Sequence, residues 1–83
     1  MKILYFAWVR QRTGIAEEEI ELPPGLKTVG DLVGWLKTRD EAFEFAFGEP
    51  RAIRAAVDQE HVAFDHPLKG AREIAFFPPV TGG

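Results

Sequence analysis

The sequence contains no cysteine and only two histidines. Without cysteine the chain can form no disulfide, thiolate metal site or cysteine nucleophile, so another group must hold any sulfur that it handles. The two histidines, His61 and His66, lack the HxxxH spacing that places two imidazoles on one face of a helix. We therefore predict that both are surface loop residues and that the chain binds no metal.

The sequence also lacks a long hydrophobic run and an excess of positive charge. Ten basic and 13 acidic residues give a net charge of −3, which opposes the phosphate contacts that nucleic acids require. The N-terminal segment MKILYFAWVRQR is shorter than a membrane span and has no small-residue cleavage site. We expect a cytoplasmic protein with no nucleic-acid or membrane partner.

The motifs of common catalytic sites are missing as well. There is no phosphate-binding GxxxxGK and no GxSxG nucleophile elbow. Asp58 and Glu60 fall in a predicted turn, where aspartate favours hydrogen bonds to the local backbone. We predict no catalytic residue. A chain of 83 residues is long enough for one domain only.

Hydrophobic patterning predicts two strands at the N-terminus. Residues 2–9 are apolar on both alternation phases, which indicates a central strand covered on both faces. Residues 10–14 then read as a hairpin connection, and residues 17–22 as a second strand with a solvated outer face. The Glu17–Glu19 run could attract a basic partner, but acidic residues on an edge strand also prevent sheet-to-sheet association, and we favour that role.

A helix is predicted next, after the strand-breaking residues 23–25. Thr28 and Asp31 fit a capping box, and four apolar residues follow at helical spacing. We expect this main helix to end near residues 37–40 and its stripe to cover the sheet, so that a charge at Leu32 unfolds the domain. The stripe comprises Val29, Leu32, Val33 and Leu36.

The second half of the chain predicts a short helix and three further strands. Phe43 and Phe47 can share one face of a helix, and we expect them to pack in the core. The predicted strands cover residues 53–57, 62–64 and 73–77, with turns at 58–60 and 67–70. Two strands, one long amphipathic helix and then further strands predict an α+β fold with this main helix packed on the sheet.

The end of the chain is its most unusual segment. Two prolines favour an extended exit from the last strand, and the final glycines can enter a channel too narrow for other residues. A partner could thus reach the terminal carboxylate. The other interpretation is a frayed end with no function. The segment comprises Pro78, Pro79, Val80, Thr81, Gly82 and Gly83.

The segments AFFPPVTGG, FDHPL, AAVDQEHV and ILYFAWVRQRTG together resemble the small, sulfur-carrying subunit of molybdopterin synthase. The resemblance runs from the first strand to the final glycine. It implies a ubiquitin-like β-grasp fold with a mixed sheet packed on one main helix. It also implies a domain over residues 1–77 and an extended, flexible tail over residues 78–83.

This resemblance further implies a chemistry for the terminus. The Gly83 carboxylate would be adenylated with ATP by a ubiquitin-activating-like adenylyltransferase and converted to a thiocarboxylate by a sulfur donor system. The large synthase subunit would take in the tail, residues 78–82, and pass the sulfur to cyclic pyranopterin monophosphate. The chain would bind no cofactor itself and be non-catalytic alone.

Phe76 and Phe77 alternate across the last strand. At least one should anchor the core, and the other could help to form an apolar docking surface.

Two further interpretations remain open. A Gly-Gly carrier could serve thiamin thiazole synthesis, tRNA thiolation or protein conjugation instead. A non-covalent interaction module would bind partners without using the carboxylate, and deleting Gly83 would distinguish it from a carrier.

Overall fold

The computed structural model describes residues 1–79, so Val80, Thr81, Gly82 and Gly83 lie outside the described residues. Within residues 1–79, five strands, three α-helices and one short 3₁₀ helix follow one another. Their bounds are β1 Lys2–Tyr5, α1 Ala7–Thr13, β2 Glu17–Glu19, α2 Val29–Leu36, α3 Glu41–Ala46, the 3₁₀ helix Pro50–Ala52, β3 Arg54–Val57, β4 Glu60–Val62 and β5 Glu73–Phe77.

The strands form one mixed sheet in the order β2-β1-β5-β3-β4. The last strand, β5, is central: it pairs in parallel with β1 and antiparallel with β3. β2 lies at one edge, as its acidic run predicts. The bounds predicted for β5 are confirmed.

Helix α2 confirms the predicted cap and stripe. The Thr28 hydroxyl accepts a hydrogen bond from the Asp31 amide, and the Asp31 carboxylate accepts one from the Thr28 amide, both at 3.1 Å. Backbone N–H groups of Lys27 and Thr28 lower the pKa of the Asp31 carboxyl. All four stripe residues are buried in one cluster with Ile3 and Ile74 of the sheet.

The prediction for residues 6–14 is wrong. The first strand ends at Tyr5, Ala7 adopts a positive φ of 52°, and the segment predicted as strand end and hairpin is helix α1. The helix buries Val9 and Thr13, four residues apart, and packs against α3. A short apolar run fits a strand or a helix equally well, and packing decides between them. The sequence did carry one helix signal, because Gly14 caps α1 in the left-handed conformation.

Burial alternates along β1, which corrects the prediction of a first strand covered on both faces. Ile3 and Tyr5 of β1 are buried. Lys2 in the same strand is exposed, although it is paired with both β2 and β5. The second strand ends at Glu19, before its predicted end, and Ile20 and Leu22 pack at the margin of the core.

The β3–β4 hairpin turns at Asp58 and Gln59, both with positive φ, so β4 begins earlier than predicted. His61 consequently lies exposed in β4 rather than in a loop, which corrects that prediction. His66 is in a loop, half-buried, and its carbonyl accepts a hydrogen bond from the Val29 amide.

Candidate functional site

The central strand β5 leads directly into the tail. Three of its five residues, Ile74, Ala75 and Phe76, are buried, and both of its edges are paired. Pro78 and Pro79 follow the last paired residue and are half-buried. Neither proline can donate a backbone hydrogen bond, so the ladder stops there and the chain must leave the sheet. The root of the tail is therefore fixed by the most constrained strand of the fold.

Phe76 anchors this root inside the core. Its ring lies 5.1 Å from that of Phe47 in an edge-to-face arrangement and 6.3 Å from that of Tyr5. Phe43 and Phe47, predicted to pack inward, complete this aromatic cluster. Phe76 has no exposed surface. Of the two candidate docking residues, it is thus the core anchor and cannot contact a partner.

Phe77 follows Phe76 in β5, so its side chain lies on the opposite face of the sheet, where it is half-buried. Its ring lies 5.1 Å from the imidazole of His61, and Arg54 is its partner in the β3–β5 ladder. Phe6 continues β1 with extended backbone on the same side and is 47% exposed. We call Phe6, Arg54, His61 and Phe77 the tail-root surface. The sequence pointed to Phe77 but not to the other three, because only strand register brings them together.

A partly buried polar network connects Tyr5 of β1 with Glu18 of β2 and with Arg39. The Tyr5 hydroxyl donates to the Glu18 carboxylate at 2.7 Å, and Arg39 donates to the same oxygen at 2.6 Å. Partial burial raises the pKa of Glu18, but the hydrogen bonds from Arg39 and Tyr5 outweigh it and hold this pKa below its usual value. Burial and the hydrogen bond to Glu18 strongly raise the pKa of Tyr5. The phenol therefore stays protonated and acts as a fixed donor.

Asp58 has a structural role in this fold. One carboxylate oxygen accepts hydrogen bonds from the backbone amides of Arg72 and Glu73, both at 3.0 Å. These bonds tie the β3–β4 turn to the start of β5, as expected of a turn aspartate. Within residues 1–79, no group of His, Asp and Glu side chains has a metal-binding arrangement. No helix among these residues is long and apolar enough to cross a membrane.

Comparison with known proteins identifies the family. The family model described as the ThiS family matches residues 3–83. This chain belongs to the ThiS family. It is 39% and 30% identical to proteins named molybdopterin synthase sulfur carrier subunit from Escherichia coli (strain K12) and Haemophilus influenzae. Each of these alignments spans 100% of this chain and 99% of the relative.

Solved structures agree with this assignment to the ThiS family. The chain superposes with a TM-score of 0.72 on molybdopterin converting factor, subunit 1, from Pyrococcus furiosus, at 37% identity and 95% coverage of both chains. SAMP1 from Haloferax volcanii gives a TM-score of 0.74 at 28% identity, over 100% of this chain and 98% of that one. The α+β prediction of a ubiquitin-like β-grasp with a mixed sheet is confirmed. Helices α1 and α3 accompany the main helix.

For this ThiS family member, the structure places three of the predicted site residues at the tail root and one inside the core. Pro78 and Pro79 lie at the sheet end, Phe77 faces outward, and Phe76 faces inward. The remaining predicted site residues, Val80, Thr81, Gly82 and Gly83, lie outside the described residues. Their roles stay predictions.

Proposed function

We propose that this chain is a sulfur carrier in molybdopterin synthesis and that the Gly83 carboxylate is the group that carries the sulfur. One observation carries the proposal: the chain aligns over its full length, at 39% identity, with a protein named molybdopterin synthase sulfur carrier subunit. The family match itself extends through Gly83.

The geometry of the tail root supports this proposal. A tail that leaves the central strand has a fixed origin, because Phe76 is locked in the core and β5 is paired on both sides. A partner that binds the folded domain therefore finds the start of the tail at a fixed position. Fixing the origin lowers the conformational entropy that is lost when the tail enters a narrow channel.

The proposed chemistry takes place at the acyl carbon of Gly83. A carboxylate is a poor electrophile, so ATP first converts it to an acyl-adenylate with release of pyrophosphate. Sulfide from the sulfur donor system then attacks this carbon, the C–S bond forms as the C–O bond to AMP breaks, and loss of a proton yields the thiocarboxylate. The enzyme supplies the donors that stabilise the oxyanion. Because Gly82 and Gly83 have no Cβ, the enzyme can surround the reacting carbonyl closely.

The proposed partners are the large synthase subunit, an adenylyltransferase that uses ATP, and a sulfur donor system. The tail-root surface is the proposed docking site, since Phe6 and Phe77 offer apolar area beside the point where the tail begins. Residues 78–82 are the segment that enters the partner. The protein itself would be the carrier, and its partners would supply the catalysis.

Intact-mass spectrometry tests the proposal. Incubation with ATP, the cognate adenylyltransferase and a sulfur donor should change the mass by the exchange of one oxygen for one sulfur. The loaded protein, mixed with the large subunit and cyclic pyranopterin monophosphate, should yield molybdopterin and return to its original mass. A chain lacking Gly83 is the control and should do neither. An unchanged mass with reagents that load another carrier would contradict the proposal.

The same experiment separates the alternatives. A thiocarboxylate that forms but yields no molybdopterin would indicate a carrier for another pathway. A protein that binds the large subunit equally well with and without Gly83, and never gains sulfur, would be a non-covalent interaction module.

A further inference from the structure

An open pocket of about 390 Å³ lies near the end of the sheet from which the tail leaves. This volume falls at the lower end of the range typical of ligand pockets, roughly 300–1,000 Å³. We call it the arginine pocket. Its lining residues are Pro50, Arg51, Ile53, Arg54, Val62, Ala63 and Phe64.

Strand register places the arginine pocket beside the tail root. Arg54 begins β3 and pairs with Phe77, the last residue of β5. The next ladder pairs Ala55 with Val62, the last residue of β4. Because neighbouring strands are about 4.8 Å apart, the far wall of the pocket lies about 10 Å from the backbone of Phe77. A protein that binds the tail can therefore reach the pocket as well.

The pocket combines an apolar floor with a positive rim. Ile53 is buried, and Val62 and Phe64 pack against the core from positions that are still partly exposed. Arg51 and Arg54 are exposed on the rim.

The side chain of Arg54, at the start of β3, is held in place by backbone carbonyls of residues that precede it. One Nη of Arg54 donates to the carbonyls of Arg51 and Ile53, at 3.0 and 3.3 Å. A guanidinium has five N–H donors, so others remain for a ligand.

The charge of the rim contrasts with the rest of the protein. Across residues 1–79, the ion pairs involve Met1, Lys2 and Arg39, so neither rim arginine has a carboxylate within 4.0 Å. The protein as a whole carries a net charge of −3. Two adjacent arginines that no carboxylate of the described residues neutralises thus form a local positive site. This site fits an acidic group on a partner and disfavours a basic one.

We propose that the arginine pocket is a second contact for the protein that receives the tail, and that it takes an apolar side chain flanked by an aspartate or glutamate. The inference rests on the proposed function, because it assigns the pocket to a tail-accepting partner. The apolar side chain would cover Ile53 and Val62, and the carboxylate would pair with Arg51 and Arg54. A carboxylate matches the planar fork of an arginine. Arg54 belongs to both the tail-root surface and the pocket, so the two contacts are continuous and together would fix the orientation of the carrier.

Charge reversal on the rim tests this proposal. The variant R51E/R54E should bind the large synthase subunit or the adenylyltransferase at least tenfold more weakly, as measured by calorimetric titration. The loss should shrink as salt is added, because the paired charges are screened. The matched control is K69E/R72E, which makes the same change in net charge at exposed positions at the opposite end of β5. It should change either dissociation constant less than twofold.

A second variant tests the apolar floor without changing charge. Ala63 lines the pocket and its side chain is exposed, so A63W should fill the space and weaken the same binding at least fivefold. Thermal unfolding of each variant verifies that the fold is retained. R51E alone, at an exposed position outside the tail-root surface, should also weaken binding and replaces R51E/R54E if the double variant does not fold. Unchanged binding of folded R51E/R54E or A63W to both enzymes would overturn the proposal. The proposal would also be overturned if the wild-type chain self-associates and R51E/R54E does not, because the pocket would then bind a second copy of the chain.

The failure of this inference can be distinguished from failure of the carrier function. If the wild-type chain gains sulfur but rim reversal leaves both dissociation constants unchanged, the carrier function stands and the pocket proposal falls. If rim reversal weakens binding but the wild-type chain never gains sulfur, the pocket proposal stands and the carrier function falls.

Discussion

Replacing Glu18 with glutamine is expected to lower the free energy of unfolding by about 1–2 kcal/mol at pH 7. The side chain is only 15% exposed and accepts hydrogen bonds from Tyr5 and Arg39. Glutamine has nearly the same shape and can still accept from Tyr5, but it leaves the Arg39 guanidinium without its anion. Hydrogen bonds to charged groups contribute roughly 1.5–3 kcal/mol, and retaining one of the two should reduce the loss. A domain of this size should then melt about 4–16 °C lower.

The effect should depend on pH in a defined direction. The folded-state pKa of Glu18 lies below its usual value of 4.5, so its charge contributes stability fully above that value. The contribution is lost as the pH falls through the folded-state pKa. Glutamine cannot titrate, and the difference between wild type and E18Q should therefore shrink as the pH falls below about 4.5.

Denaturant titrations of both proteins between pH 7 and pH 3 would measure this difference. The control is E17Q, one residue earlier on β2, because Glu17 pairs with Lys2 at 3.2 Å where both side chains are about half exposed. An exposed pair contributes only about 0–1 kcal/mol. If E18Q is no less stable than E17Q at pH 7, or if its deficit persists unchanged in acid, the assigned network is wrong.

Three further predictions concern the body and the tail root. L32A should cost about 2–5 kcal/mol in denaturant titration, since Leu32 is fully buried, and L32D should show no cooperative unfolding transition. T28A removes one acceptor of the capping box and should cost about 1 kcal/mol in thermal unfolding monitored by circular dichroism; an unchanged midpoint would contradict that role. F76A should cost about 3–5 kcal/mol, whereas F77A should cost clearly less yet weaken calorimetric binding to the large subunit. Equal stabilities for the last two variants would refute the inward and outward assignments.

The sequence predicted the elements whose signals are local. The cap at Thr28, the stripe from Val29 to Leu36 and the strand Glu73–Phe77 are all where the pattern placed them. Helix α1 was missed because Ala7, Trp8 and Val9 suit either conformation, and the choice depends on packing against α3. His61 was misplaced because the two-residue turn at 58–59 began β4 earlier.

The sequence by itself determined the α+β class, the main helix and a last strand that ends at two prolines. Only the sheet order placed that strand at the centre. These follow from hydrophobic period, capping and chain-breaking residues, which act over a few neighbouring positions. Only the tertiary structure decided which phenylalanine faces outward and which residues surround it. Phe6, Arg54 and His61 come from three different strands or strand ends, and the sheet order β1-β5-β3-β4 brings them around Phe77. Pairing between distant segments has no local signature, so the tail-root surface and the arginine pocket exist only in the folded chain.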